Sequence, residues 1–176
     1  MNALTVRTDG TPETTAQGAV AALRKSAELR LPSWANEHER ALAALHVETI
    51  TSADLSTDPP TKREVRAFIA PLLATMANPN PSGDAEAAIR VAAYDEVLMA
   101  LPATDVRAAA RAFLHGNVGT GRFAPSPAEI AIEARAAWER RLSGPRIAAA
   151  KLRGLVNHIE DQRTARGRKG TAHVQA

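Results

Sequence analysis

Residues 115–135, HGNVGTGRFAPSPAEIAIEAR, join a glycine-rich loop to a strongly marked helix start. Ser126 is placed to accept from the backbone N–H of Glu129, and the Glu129 carboxylate to accept from the N–H of Ser126, a reciprocal capping box. Pro127 takes the first helical position, where a missing N–H costs nothing. Phe123 and Pro125 precede the cap and are expected to pin the incoming chain onto the helix. Gly116, Gly119 and Gly121 suit positive φ values and a chain reversal. The same signature recurs at Thr61 and Glu64, and Val65, Phe68, Ile69, Leu72, Leu73 and Met76 follow it at helical spacing. No segment sustains the period-two alternation of a strand. The sequence predicts an all-α protein, a compact helical bundle of about five to seven helices with a disordered basic C-terminal tail.

Working outward, the spacing predicts helices over 12–31 and 33–50, separated at Pro32 because the residue before a proline is pushed out of the helical region. Ser33 is the expected N-cap of the second. TSADLSTDPP (51–60) reads as a boundary or linker and NPNPSG (78–83) as a loop. Further helices are expected over 84–101, with Val91, Tyr94, Leu98 and Leu101 on one stripe, and from a Thr104 cap to about His115. After Pro127 one helix should carry Ile130, Ala134, Ala137, Trp138 and Leu142 and stop at SGP (143–145). A last helix, about 146–160, shows Leu152, Leu155, Val156 and Ile159 on one side. The organisation expected is 1–11 disordered, 12–58 a helical pair with linker, 59–160 a helical core domain and 161–176 a disordered basic tail. Phe68, Leu72, Tyr94, Leu98, Phe113, Phe123, Ile130 and Trp138 are the expected core. They carry most of the large apolar area in a chain only 3% aromatic.

Among 176 residues, 45% are apolar, much of this alanine, which favours helix but buries little area. The absence of cysteine removes disulfides and thiolate metal sites and fits a reducing compartment. MNALTVRTDG lacks the basic and apolar regions of a signal peptide, and no run approaches the roughly 18 apolar residues of a membrane span. A cytoplasmic protein with no membrane association is expected.

Catalysis needs converging polar groups, and the sequence offers little. The histidines (His38, His46, His115, His158 and His173) lack metal-ligand spacing, and His115 reads as a polar residue ending a helix. The run from Gly116 to Arg122 has no strand before it and no Lys-Ser/Thr, so it reads as a turn rather than a phosphate loop. Asp95 and Glu96 face different directions, Glu129 is used in capping, and Ser33, Ser82, Ser126 and Ser143 sit at helix boundaries. No catalytic residue, cofactor or metal is expected, and the chain reads as non-enzymatic.

Charge is the remaining signal. From Arg140 onward nine basic residues face two acidic ones, a net +7, whereas the first 139 residues carry 13 basic and 17 acidic, a net −4. Such an end samples anionic surfaces, nucleic acid first among them. The candidate nucleic-acid-binding residues are Arg140, Arg141, Lys151, Arg153, Arg163, Arg166, Arg168 and Lys169. Arg140, Arg141, Lys151 and Arg153 are expected to line one helix surface, since phosphate contacts need little more.

Phe68–Met76, Tyr94–Pro102, Ala110–Leu114, Gly116–Gly121 and Phe123–Ile130 together resemble a pattern of small proteins from tailed phages and prophages. That pattern is an apolar helix, a Tyr-bearing helix ending in Leu-Pro, Ala-x-x-Phe-Leu, Gly-x-x-Gly and Phe-x-Pro-Ser/Thr-x-x-Glu-Ile. A similar arrangement recurs in helicase-loader and helicase-inhibitor proteins of phage replication modules. The resemblance covers residues 61–140 and carries no functional residue over. It implies a replication-accessory adaptor whose protein partner is a replicative helicase or another replisome protein, with weak DNA contact. The alternative is a phage-encoded inhibitor, such as an anti-CRISPR-type protein, that occludes a host enzyme or defence system. A body of only −4 lacks the strongly acidic surface of a DNA mimic, which favours the adaptor.

Overall fold

The structure is a computed structural model that describes residues 16–76 and 84–172, with only the backbone described at 84–86 and 166–172. The expectations for residues 1–11 and 78–83 lie outside the described residues. Among the described residues six helices run in chain order: α1 (Ala16–Ala27), α2 (Glu37–Thr51), α3 (Lys62–Thr75), α4 (Asp84–Leu98), α5 (Ala103–Leu114) and α6 (Pro127–Ala172). No strand occurs among the described residues, and the protein is all-α.

The chain divides into two compact units, Met1–Asp54 with Leu142–Ala176, and Leu55–Arg141. This departs from the expected division in two respects: 55–58 join the core domain rather than the N-terminal pair, and 142–160 join the N-terminal helices rather than the core domain. The cause of the second is α6. The expected stop at SGP does not occur, because helix continues through Ser143, Gly144 and Pro145. Glycine and proline inside a helix cost about 1 and 3 kcal/mol. Burial of Leu142, Ala148, Ala149 and Leu152 on either side offsets that cost, and Pro145 is itself buried. Of the expected tail, 161–172 have helical backbone and 173–176 lie outside the described residues. Residues 160–165 are all exposed, as their composition requires.

In the unit Leu55–Arg141 the core brings together Val65, Ile69 and Leu72 of α3, Tyr94 and Leu98 of α4, Val106, Ala109, Ala110 and Phe113 of α5, and Ile130, Ala131 and Ala134 of α6, with Phe68 packed against it. Both expected capping boxes form. Ser126 Oγ accepts from the Glu129 N–H while the Glu129 carboxylate accepts from the Ser126 N–H. Thr61 and Glu64 do the same. Thr104 caps nothing: α5 begins after Pro102 without a side-chain cap, and the Ala103 N–H donates to the Asp58 carbonyl at 2.9 Å. The stretch 55–60 is therefore more than a linker, since it supplies that carbonyl and buries Pro60. Phe123 is the other correction. It stands half-exposed, because Pro125 takes the buried position beside α6 and its carbonyl accepts the Tyr94 hydroxyl.

In the other unit, α1 buries Val20, Leu23 and Ser26, α2 buries Ala43 and Ile50, and α6 buries Ala148, Ala149, Leu152 and Ile159. The N-cap of α2 is Asn36 rather than Ser33, in a capping box with Glu39. Ser33 instead gives its carbonyl to the Arg40 guanidinium at 2.7 Å.

Candidate interaction surfaces

The loop between α5 and α6 is anchored at both ends. His115 ends α5, and Gly116, Gly119 and Gly121 all have positive φ, from 66° to 73°. Gly119 lies over the Phe113 ring, where an added Cβ would stand 2.9 Å from Cε1. Val118 packs partly against the core. At the far end the Tyr94 hydroxyl holds the Pro125 carbonyl, and burial pushes the Tyr94 phenol above its ordinary range. Between these two anchors stand Arg122 and Phe123, the guanidinium 6.0 Å from the ring centroid. A groove of about 280 Å³ runs beside them, lined by Arg90, Tyr94, Pro125, Pro127 and Glu129 among others. The loop thus presents an aromatic side chain between two anchored ends.

The candidate nucleic-acid residues differ in what they touch. Arg140 pairs with Glu133 one helical stretch earlier. Arg141 is turned inward. Its Nε donates to Asp105 Oδ1 at 3.0 Å and its Nη2 to Oδ2 at 2.6 Å, and Nη2 also reaches the Ser56 carbonyl at 3.0 Å. Its guanidinium lies 4.8 Å from the Trp138 ring centroid. Asp105 is 1% exposed, so Arg141 neutralises a buried carboxylate and is not available to phosphate. The sequence signal for this role was Asp105 at an inward position, flanked by the inward Val106.

In the other unit Lys151 is exposed, and the Arg153 guanidinium donates to Ser26 Oγ at 3.1 Å, a hydroxyl that itself donates to the Ala22 carbonyl. Arg153 also lines a groove with Ala19, Ala22, Leu23, Arg146 and Ala149. Arg163 lies over the Trp34 ring, 4.2 Å from its centroid. Arg166, Arg168 and Lys169 follow on helical backbone. Sequence reasoning did not select Phe123 or Trp34 as surface residues. An aromatic outside a helix, next to an arginine or a proline turn, is the only signal either carried.

Among the described residues no group of three or more His, Asp and Glu side chains is placed to hold a metal ion, and no helix is long and apolar enough to cross a membrane. Compared with known protein families, curated proteins and solved structures, the chain matches none.

Proposed function

We propose that the protein is a non-enzymatic accessory of phage or prophage DNA replication, an adaptor that docks on a replicative helicase or another replisome protein. The observation that carries the docking role is Phe123. A large ring is held half-exposed on a loop anchored through Gly119 on Phe113 and through Tyr94 on Pro125. Aromatic side chains already fixed before binding make effective interface anchors, because little side-chain or loop entropy is lost on docking. The choice of a replisome partner rests on the resemblance of residues 61–140 to phage helicase-loader proteins. A weak, sequence-independent DNA contact accompanies it through Arg140, Lys151, Arg153, Arg163, Arg166, Arg168 and Lys169, with Arg141 withdrawn from that set.

Affinity capture on the tagged full-length chain in host cells, read by mass spectrometry, should return the replicative helicase. Titration of the purified helicase should then give saturable binding that Phe123→Ala abolishes while circular dichroism is unchanged. Capture of a defence enzyme in its place, or full binding by Phe123→Ala, would overturn the reading.

A further inference from the structure

Trp34 is 49% exposed although it is the largest side chain in its unit. It does not dangle. Its turn is tied by the Ala35 N–H to the Pro32 carbonyl (3.1 Å), by Arg40 to the Ser33 carbonyl, and by the Asn36–Glu39 capping box that starts α2. The Arg163 guanidinium lies over the ring. Along α6, Arg163 continues the stripe of Leu152, Val156 and Ile159, so the buried seam ends on a cation stacked against an exposed indole.

The groove at this pair, about 510 Å³, is lined by Trp34, Asn36, Glu39, Ile159, Gln162 and Arg163. An apolar anchor from a protein would find one aliphatic wall, Ile159, among polar neighbours. A nucleobase would find an indole to stack on, beside two amide side chains, Asn36, whose Oδ1 accepts from the Glu39 N–H, and Gln162, whose Nε2 lies 2.7 Å from His158 Nε2. The one acid in the lining, Glu39, has a carboxylate oxygen engaged by the Asn36 N–H at 2.8 Å. After Asp161 the chain carries Arg163, Arg166, Arg168 and Lys169 and no acidic residue. A stacking ring followed by a run of cations is what an unpaired strand requires: π-faces for bases and charge for phosphates. Duplex DNA hides its base faces and would use the cations alone.

We infer that Trp34 and Arg163 form a stacking site for single-stranded nucleic acid, with a base taking the place over the Trp34 ring that the guanidinium holds in the free protein, and Arg163, so displaced, taking the phosphate. The inference rests on the reading that the basic end of the chain touches nucleic acid, and adds to it a preference for single strands and the residue that creates the preference.

Fluorescence anisotropy of the full-length protein with labelled dT20, rU20 and a 20-base-pair duplex at low salt tests it. Trp34→Ala should weaken dT20 binding on the order of tenfold and leave duplex binding unchanged, and Trp34→Phe should keep most of the affinity. The dT20 and rU20 arms show whether the strand is DNA, RNA or either. Strand addition should also quench intrinsic emission in the wild type and not in Trp34→Phe, a direct reading of the indole that survives any loss of stability in Trp34→Ala. Wild-type dT20 binding by Trp34→Ala, with no quenching, would overturn the stacking site. In that case loss of binding in a triple Arg166, Arg168 and Lys169 to alanine variant would leave the basic-end contact standing. No binding of any strand by the wild type would overturn both.

Discussion

Arg141 and Asp105 are joined by two parallel hydrogen bonds, 36 positions apart in the chain, with the carboxylate almost fully enclosed. Arg141 also ties the Ser56 carbonyl and stacks on Trp138, so one guanidinium links the chain ahead of α3 to α5 and α6. Removing it would leave an unpaired buried charge. Arg141→Ala should cost about 3–5 kcal/mol. Lys151→Ala, at an exposed position, should change stability by less than about 0.5 kcal/mol. Urea unfolding followed by circular dichroism measures both. Equal effects would mean that Arg141 is a surface cation after all.

The three loop glycines should not respond alike. Gly119 and Gly121 both hold positive φ, where a side chain costs about 1–2 kcal/mol. Only at Gly119 does an added Cβ also meet the Phe113 ring, whereas the space around Gly121 is open. Gly119→Ala should therefore destabilise clearly more than Gly121→Ala in thermal unfolding.

Two phenylalanines expected to share the core behave differently. Phe113 is buried and Phe123 is half-exposed. Phe113→Ala should cost about 3–5 kcal/mol, within the range for emptying a core aromatic site. Phe123→Ala should cost less than about 1 kcal/mol, the scale of surface substitutions. Denaturation of the two purified variants checks the contrast.

Helix identity was legible wherever the local signal and tertiary packing agreed. Thr61–Glu64 and Ser126–Glu129 are closed motifs whose partners lie three residues apart, so no distant contact was needed to read them. The start of α2 was equally local in Asn36-x-x-Glu39, but Ser33 is also a capping residue type and lies beside the proline. Pro145 was misread because the cost of a proline in a helix is local, while the burial that offsets it comes from elsewhere in the fold. The same holds for the site. Basic residues are visible in a sequence, but whether a guanidinium faces solvent or a buried Asp105 is decided by a residue 36 positions away. The exposure of Phe123 and Trp34 runs against their hydrophobicity, and no periodicity outside a helix could signal it.

The capping boxes make stability depend on acid. The Thr61 backbone N–H, and then its hydroxyl, donate to the Glu64 carboxylate and hold it below the ordinary glutamate value of 4.5. The Ser126 backbone N–H and hydroxyl do the same for Glu129. In the unfolded chain both carboxyls take up protons near 4.5, whereas the folded state takes them up only at lower pH. Between those values the unfolded state binds more protons, so stability falls as pH falls. The contribution is complete above the unfolded value and is lost as pH drops through the folded ones. The urea midpoint should therefore decline from about pH 6 to pH 3, and the Glu64→Gln, Glu129→Gln double variant should show a lower midpoint at pH 6 with a flatter decline. Parallel pH profiles for wild type and double variant would show that other carboxylates set the acid limb.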